Sequence, residues 1–105
     1  MLVMERRIGE TLVLKPQVMG ETPYRIVVKF QSPIAAPAYS CTPGFEIQCT
    51  VPIVQHDVWL ETPAGERIRV SLDRVRGGKA KVAIEAPRSV LVLRGEIEKR
   101  WRDCG

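Results

Sequence analysis

Two alternating segments around a double glycine constrain this chain more than any other feature. Residues 67–72 read Arg-Ile-Arg-Val-Ser-Leu, with Ile68, Val70 and Leu72 on one face and Arg67, Arg69 and Ser71 on the other. Residues 79–84 return with Ala80, Val82 and Ile84 on one face. A period of two marks a half-buried strand. Gly77-Gly78 between the two segments supplies the positive φ that a tight hairpin turn requires. Ala86-Pro87 then ends the pairing, because proline has no amide to donate. Val90-Leu-Val-Leu93 reads as a short strand ending at Arg94. From Gly95 onward the pattern becomes helical, with Ile97 and Trp101 four residues apart on one face. Glu96 near the start of that helix and Lys99, Arg100 and Arg102 near its end suit the helix dipole.

The N-terminal stretch, residues 1–14, also reads as strand. Gly9 in its middle suggests a bulge or a close backbone approach. Arg6 and Arg7 are adjacent, so they point to opposite faces. The middle of the chain has a different composition. Residues 15–64 hold five of the six aromatics (Tyr24, Phe30, Tyr39, Phe45 and Trp59) and seven of the eight prolines. Three strands are expected there, over 24–30, 45–51 and 53–60, with 31–44 as a long loop rich in Pro, Ala, Ser and Gly. The aromatic and β-branched content implies that this block packs, and Tyr24, Phe30, Phe45 and Trp59 are read as core.

Charge divides the chain the same way. Residues 15–64 carry three basic and four acidic side chains, whereas the other 55 residues carry 13 basic and eight acidic. The net charge of +4 therefore lies in the flanks, where a polyanionic partner is to be sought. At 105 residues the chain is one domain, too short for a multi-domain enzyme with its own cofactor cleft. No apolar run approaches a membrane span, and no export signal is recognisable, so a cytoplasmic protein is expected. Cys41, Cys49, Cys104 and the single His56 cannot make a four-ligand zinc site or a disulfide framework, so no metal or cofactor is expected. A Cys41–Cys49 bridge is conceivable, although free thiols are favoured in a reducing compartment. His56 beside Asp57 is no catalytic pair, since neighbours in a strand face opposite ways and no nucleophile is placed by motif. An enzyme is not expected.

Joined over the gap, the two flanks resemble the carbon storage regulator (CsrA/RsmA) family of bacterial translational regulators. The resemblance rests on Arg6-Arg7-Ile8-Gly9-Glu10-Thr11-Leu12 near the start. Near the end it rests on Ala86-Pro87-Arg88-Ser89-Val90 followed by Val92-Leu93-Arg94-Gly95-Glu96-Ile97. It covers about 55 residues, leaving 15–64 as a 50-residue insertion between the first two family strands. It implies a mainly β, intertwined homodimer of small five-stranded subunits with a short C-terminal helix. The first and last strands would pair with the other chain. Residues 1–14 and 65–105 would form the core of a single domain spanning 1–105, and 15–64 a β-rich extension.

The resemblance also implies binding of messenger RNA at GGA motifs in leader hairpins and ribosome-binding sites. Translation and transcript stability are then controlled, small decoy RNAs compete, and a protein antagonist can relieve the effect. DNA and membrane are not implied partners. Residue by residue, Met4, Arg6 and Arg7 match first-strand positions that line the RNA groove. Val90, Val92, Leu93 and Arg94 match the last-strand segment that completes it. Arg94 carries the strongest expectation, because its fork of donors fits a phosphate or a guanine edge. Glu10, Glu96 and Ile97 are read as structural. Leu93 stands where a histidine is frequent, Gly95 where an acidic residue is frequent, and Glu5 where a small polar residue is common. These departures leave a second reading open, a protein-interaction module on the same scaffold that has lost or retuned RNA binding.

Overall fold

A computed structural model describes residues 2–17, 24–32, 38–42 and 46–104, of which the side chains of 38–42 and 101–104 are not described. The described chain runs β1 (Leu2–Arg7), β2 (Thr11–Pro16), β3 (Arg25–Gln31), β4 (Ala38–Thr42), β5 (Glu46–Pro52), β6 (His56–Glu61), β7 (Arg67–Arg76), β8 (Lys79–Glu85), β9 (Val90–Arg94) and α1 (Gly95–Cys104). It is mainly β, as the alternation predicts. One sheet has the order β1-β8-β7-β6, and the other β4-β5-β3-β2-β9. All pairs are antiparallel except β3 with β5.

The expected hairpin is β7–β8. Val70 pairs with Ile84 and Leu72 with Val82. Gly77 and Gly78 both have positive φ (58° and 78°), the condition of a tight two-residue turn. The N-terminal stretch is not one bulged strand. At Gly9, with φ 90°, the chain leaves the first sheet for the second. The Gly9 amide donates to the Phe30 carbonyl (2.7 Å), and the Phe30 amide donates to the Glu10 carbonyl (3.0 Å). In the middle block β3, β5 and β6 lie where strands are expected. The segment read as loop holds β4, which pairs with β5 at the sheet edge. Its Pro- and Ser-rich surroundings hid it, because an edge strand needs only one hydrogen-bonded flank and no continuous apolar pattern. Phe45 and the Trp101 side chain lie outside the described residues.

A single buried cluster joins the two sheets. Met4, Leu60, Ile68, Val70, Leu72, Ala80, Val82 and Ile84 come from one; Leu12, Leu14, Ile26, Val28, Phe30, Ile47, Cys49, Val51 and Val90 come from the other. Tyr24 and Phe30 are core residues as expected, but Trp59 is 56% exposed. It sits on the outer face of an edge strand, where nothing covers it. Cys49 is a buried free thiol whose pKa is raised by burial. Its register partner is Tyr39, while Cys41 stands opposite Ile47, so the two cysteines are not cross-strand neighbours.

The first and last strands of the resemblance find partners within the described chain. β1 pairs with β8 and β9 with β2, all in one polypeptide. The physical reason is the length of 15–64. Its strands flank β2 through β3 and β7 through β6, so one chain has enough strands for two layers that bury each other's apolar faces. These residues are half of the sandwich rather than an appendage. Phe30→Ala should therefore weaken the whole fold by about 3–5 kcal/mol. Denaturant unfolding should remain one transition with a lower midpoint. A retained second transition at the original midpoint would mean that 15–64 folds separately.

Candidate nucleic-acid interface

β1 is an edge of one sheet and β9 an edge of the other, and the two edges meet on the same flank of the sandwich. A groove of about 300 Å³ opens there, lined by Leu2, Ile84, Ala86, Pro87, Arg88, Val90 and Val92. Among the described residues both strands have a strand neighbour on one side only, so each presents a sheet edge. The groove thus combines an apolar lining, a sheet edge on each bank and one basic side chain, Arg88.

Alternation decides how each candidate residue is presented. Val90, Val92 and Arg94 share one face of β9, and Leu91 and Leu93 share the other. Arg94 is exposed and stands opposite Leu12 in register. Leu93 stands opposite Val13, on the face that α1 covers. Leu2, Met4 and Arg6 share the inner face of β1. Leu2 lines the groove and is 42% exposed, whereas Met4 and Arg6 are buried and do not line it. Arg7 is exposed and stands opposite Lys79.

Arg6 joins the two ends of the chain. Its guanidinium reaches the Thr11 carbonyl (3.3 Å), the Glu96 carboxylate (3.1 Å) and the Glu10 carboxylate (3.6 Å). Glu10 also accepts from the Arg7 amide at 2.7 Å. The structural reading of Glu10 and Glu96 fits this arrangement. With Nε also donating to the Glu5 carbonyl (2.9 Å), this buried guanidinium has four oxygen partners and is a positioning device, because its donors are already committed. Gly95 contributes to the same junction. A Cβ there would overlap the Thr11 hydroxyl, which explains a glycine at the start of this helix.

Two further clusters hold the groove walls. Glu66 accepts hydrogen bonds from Ser89, from Tyr24 (2.9 Å) and from Thr62 (3.0 Å). The Ser89 hydroxyl, aided by Tyr24 and Thr62, holds the Glu66 carboxyl below its usual range against the effect of burial. Burial, with the Glu66 carboxylate beside it, pushes the Tyr24 phenol up to about 12. Ser89 also accepts the Gln17 amide at its carbonyl (2.7 Å), so the 86–89 wall is tied to β2 and to the 62–66 turn. The second cluster docks α1. The buried Glu98 carboxylate meets Lys15 (3.2 Å) and Arg25 (3.1 Å), and Arg25 also meets Glu46 (2.8 Å). Burial works to raise the Glu98 pKa, but Arg25 and Lys15 outweigh it and bring it to about 2.

On the other side of β1 a pocket of about 350 Å³ is lined by Val3, Met4, Glu5, Arg74, Lys79, Ala80 and Lys81. Arg74 has φ 49° where the β7–β8 ladder shifts register, and its amide donates to the Asp73 carboxylate (2.8 Å). His56 has Nδ1 2.8 Å from the Val54 carbonyl, and no metal-binding cluster occurs among the described residues. Of the residues expected at the site, Val90 and Val92 line the groove, and Met4, Arg6, Arg7, Leu93 and Arg94 do not. Leu2, which the spacing to Met4 places on the same face, and Ala86-Pro87-Arg88, which carry the resemblance, also line the groove although none is among the expected site residues.

Residues 63–103 match the CsrA family model, described as a global regulator protein family. The matched segment contains β7, β8, β9 and nearly all of α1, and is similar to RNA-binding regulators in general. Comparison with curated proteins and with solved structures returned no match. No helix among the described residues is long and apolar enough to cross a membrane.

Two outcomes follow from these contacts. The folded pKa of Glu98 lies below the ordinary value of 4.5, so its stabilisation is complete above that value and is lost as pH falls toward 2. Glu98→Gln should flatten this part of the stability–pH curve and cost about 3 kcal/mol at neutral pH, at the low end for a broken buried pair because Arg25 keeps Glu46. Gly95→Ala should cost about 1–3 kcal/mol through overpacking against Thr11, despite the better helix propensity of alanine. Chemical denaturation of each variant at a series of pH values measures both.

Proposed function

We propose that the protein is an RNA-binding post-transcriptional regulator that recognises GGA motifs in messenger-RNA leaders through the β1–β9 groove. The observation that supports the reading is a groove lined by residues of two edge strands, Leu2 of β1 and Val90 and Val92 of β9, with Arg88 beside them. Guanine offers N7 and O6 acceptors on one edge and donors on the other. Backbone amides and carbonyls of an edge strand complement such a base without an aromatic platform. Arg94 supplies a bidentate fork for guanine or phosphate, and Arg7 and Arg88 add exposed charge at the margins. Val90 and Val92 form the apolar wall. Met4 and Arg6 act from behind, Met4 by packing in the core and Arg6 by holding β1 against β2 and α1. Leu93 acts through its packing under the helix.

Occupation of a leader hairpin would block ribosome binding and alter transcript lifetime. Small RNAs carrying the same motif would compete for the groove in the cytoplasm, and a protein antagonist would act by covering it. The groove draws both banks from one chain, so a second copy is not needed to complete it. A homodimer would carry two such grooves.

A gel-shift series with a GGA-loop hairpin and its CCA counterpart tests the reading. The wild-type protein should prefer GGA, and Arg94→Ala should lose about 1–3 kcal/mol of that discrimination. Equal binding of the two hairpins, or no binding, would favour a protein-interaction module instead.

A further inference from the structure

Trp59 is the most exposed large apolar side chain of the described residues, at 56%. It lies on β6, the edge strand farthest from β1 in its sheet. Arg69 is its direct cross-strand partner, and the Arg67 and Arg69 guanidinium carbons lie 5.1 Å and 5.9 Å from the indole centroid. Arg69 also donates to Glu85 (3.2 Å), while its Nε, screened from solvent, has no acceptor. The two cations brace one side of the indole and leave the rest of the ring to solvent.

The outer face of the sheet links this ring to the groove. Val3, Ala83, Ser71 and Asp57 form one row across β1, β8, β7 and β6. Ala83 and Ser71 are small, so the row is shallow. Three strand spacings separate β1 from β6, about 14 Å. An extended single strand leaving the groove at β1 crosses that distance in a few nucleotides. Glu61 stands opposite Arg67 in register and Glu85 engages Arg69, so net charge here is low and stacking has to supply the contact.

We propose that Trp59, braced by Arg67 and Arg69, is a stacking platform for an unpaired base of single-stranded RNA outside the β1–β9 groove. The inference rests on the RNA reading for the class of ligand, and its test is separate from that reading. Every nucleobase has a π-face, so the platform is indifferent to sequence. It gives residues 15–64 a role in binding as well as in the core, because they supply the indole.

The probe is a short oligoadenylate without GGA, titrated while protein fluorescence is recorded. The oligonucleotide should quench emission, and Trp59→Leu should abolish that quenching and weaken binding about tenfold. Trp59→Phe, which keeps a ring, should restore most of the affinity. The weakening by Trp59→Leu should vary little with salt, as expected for stacking rather than phosphate neutralisation. Absence of quenching, or equal affinity of the wild-type protein and Trp59→Leu, would overturn the proposal. If GGA discrimination is absent while quenching at Trp59 persists, the groove reading falls and the platform stands.

Discussion

A buried guanidinium holds the two ends of this polypeptide together. Arg6, on β1, reaches the backbone of β2 and the first turn of α1. Without those oxygens its charge would be stranded inside the sandwich at a cost of several kcal/mol, so the strands that carry them are fixed around it. This contact holds β1 against the start of α1, the helix that follows β9, although 90 residues separate Arg6 from Glu96. The groove exists because two sheet edges come together on one flank, and Arg6 closes the end of that flank.

The second constraint is chain length. A unit of about 55 residues buries too little surface to be secure alone, and association is the usual remedy. Here the additional residues 15–64 supply four strands and a large part of one continuous core. The same residues reach the site at a distance. Tyr24 and Thr62 hold Glu66, which ties the 86–89 wall, and Arg25 with Lys15 fixes the helix that covers Leu93. Core, helix docking and groove geometry are therefore one mechanical unit.

What could be read from sequence follows the strength of each local signal. The β7–β8 hairpin was legible because two alternating runs flank a double glycine, and β9 and α1 because proline and a change of period bracket them. Val90, Val92, Leu93 and Arg94 came as one segment from the resemblance, and the period of two separates Leu93 from the other three. Pairing between distant strands was not legible. Nothing local in β1 says whether β8 of the same chain or of another will complete it, since both offer the same hydrogen-bonding edge. Arg6 and Arg7 looked equivalent as neighbours, yet one faces a core and the other solvent, and only the identity of the covering layer decides which. Trp59 was misread for the same reason. An indole in an alternating strand is core or surface according to which face is covered, and sequence does not identify the cover.

Amide hydrogen exchange with and without a GGA-loop hairpin tests the central claim most directly, because it reads the edge strands themselves. The account predicts that RNA slows exchange along both Leu2–Arg7 and Val90–Arg94 together, under conditions where the protein is a single chain in solution. Protection confined to one of these strands, or absent from both, would contradict a groove built from the two edges.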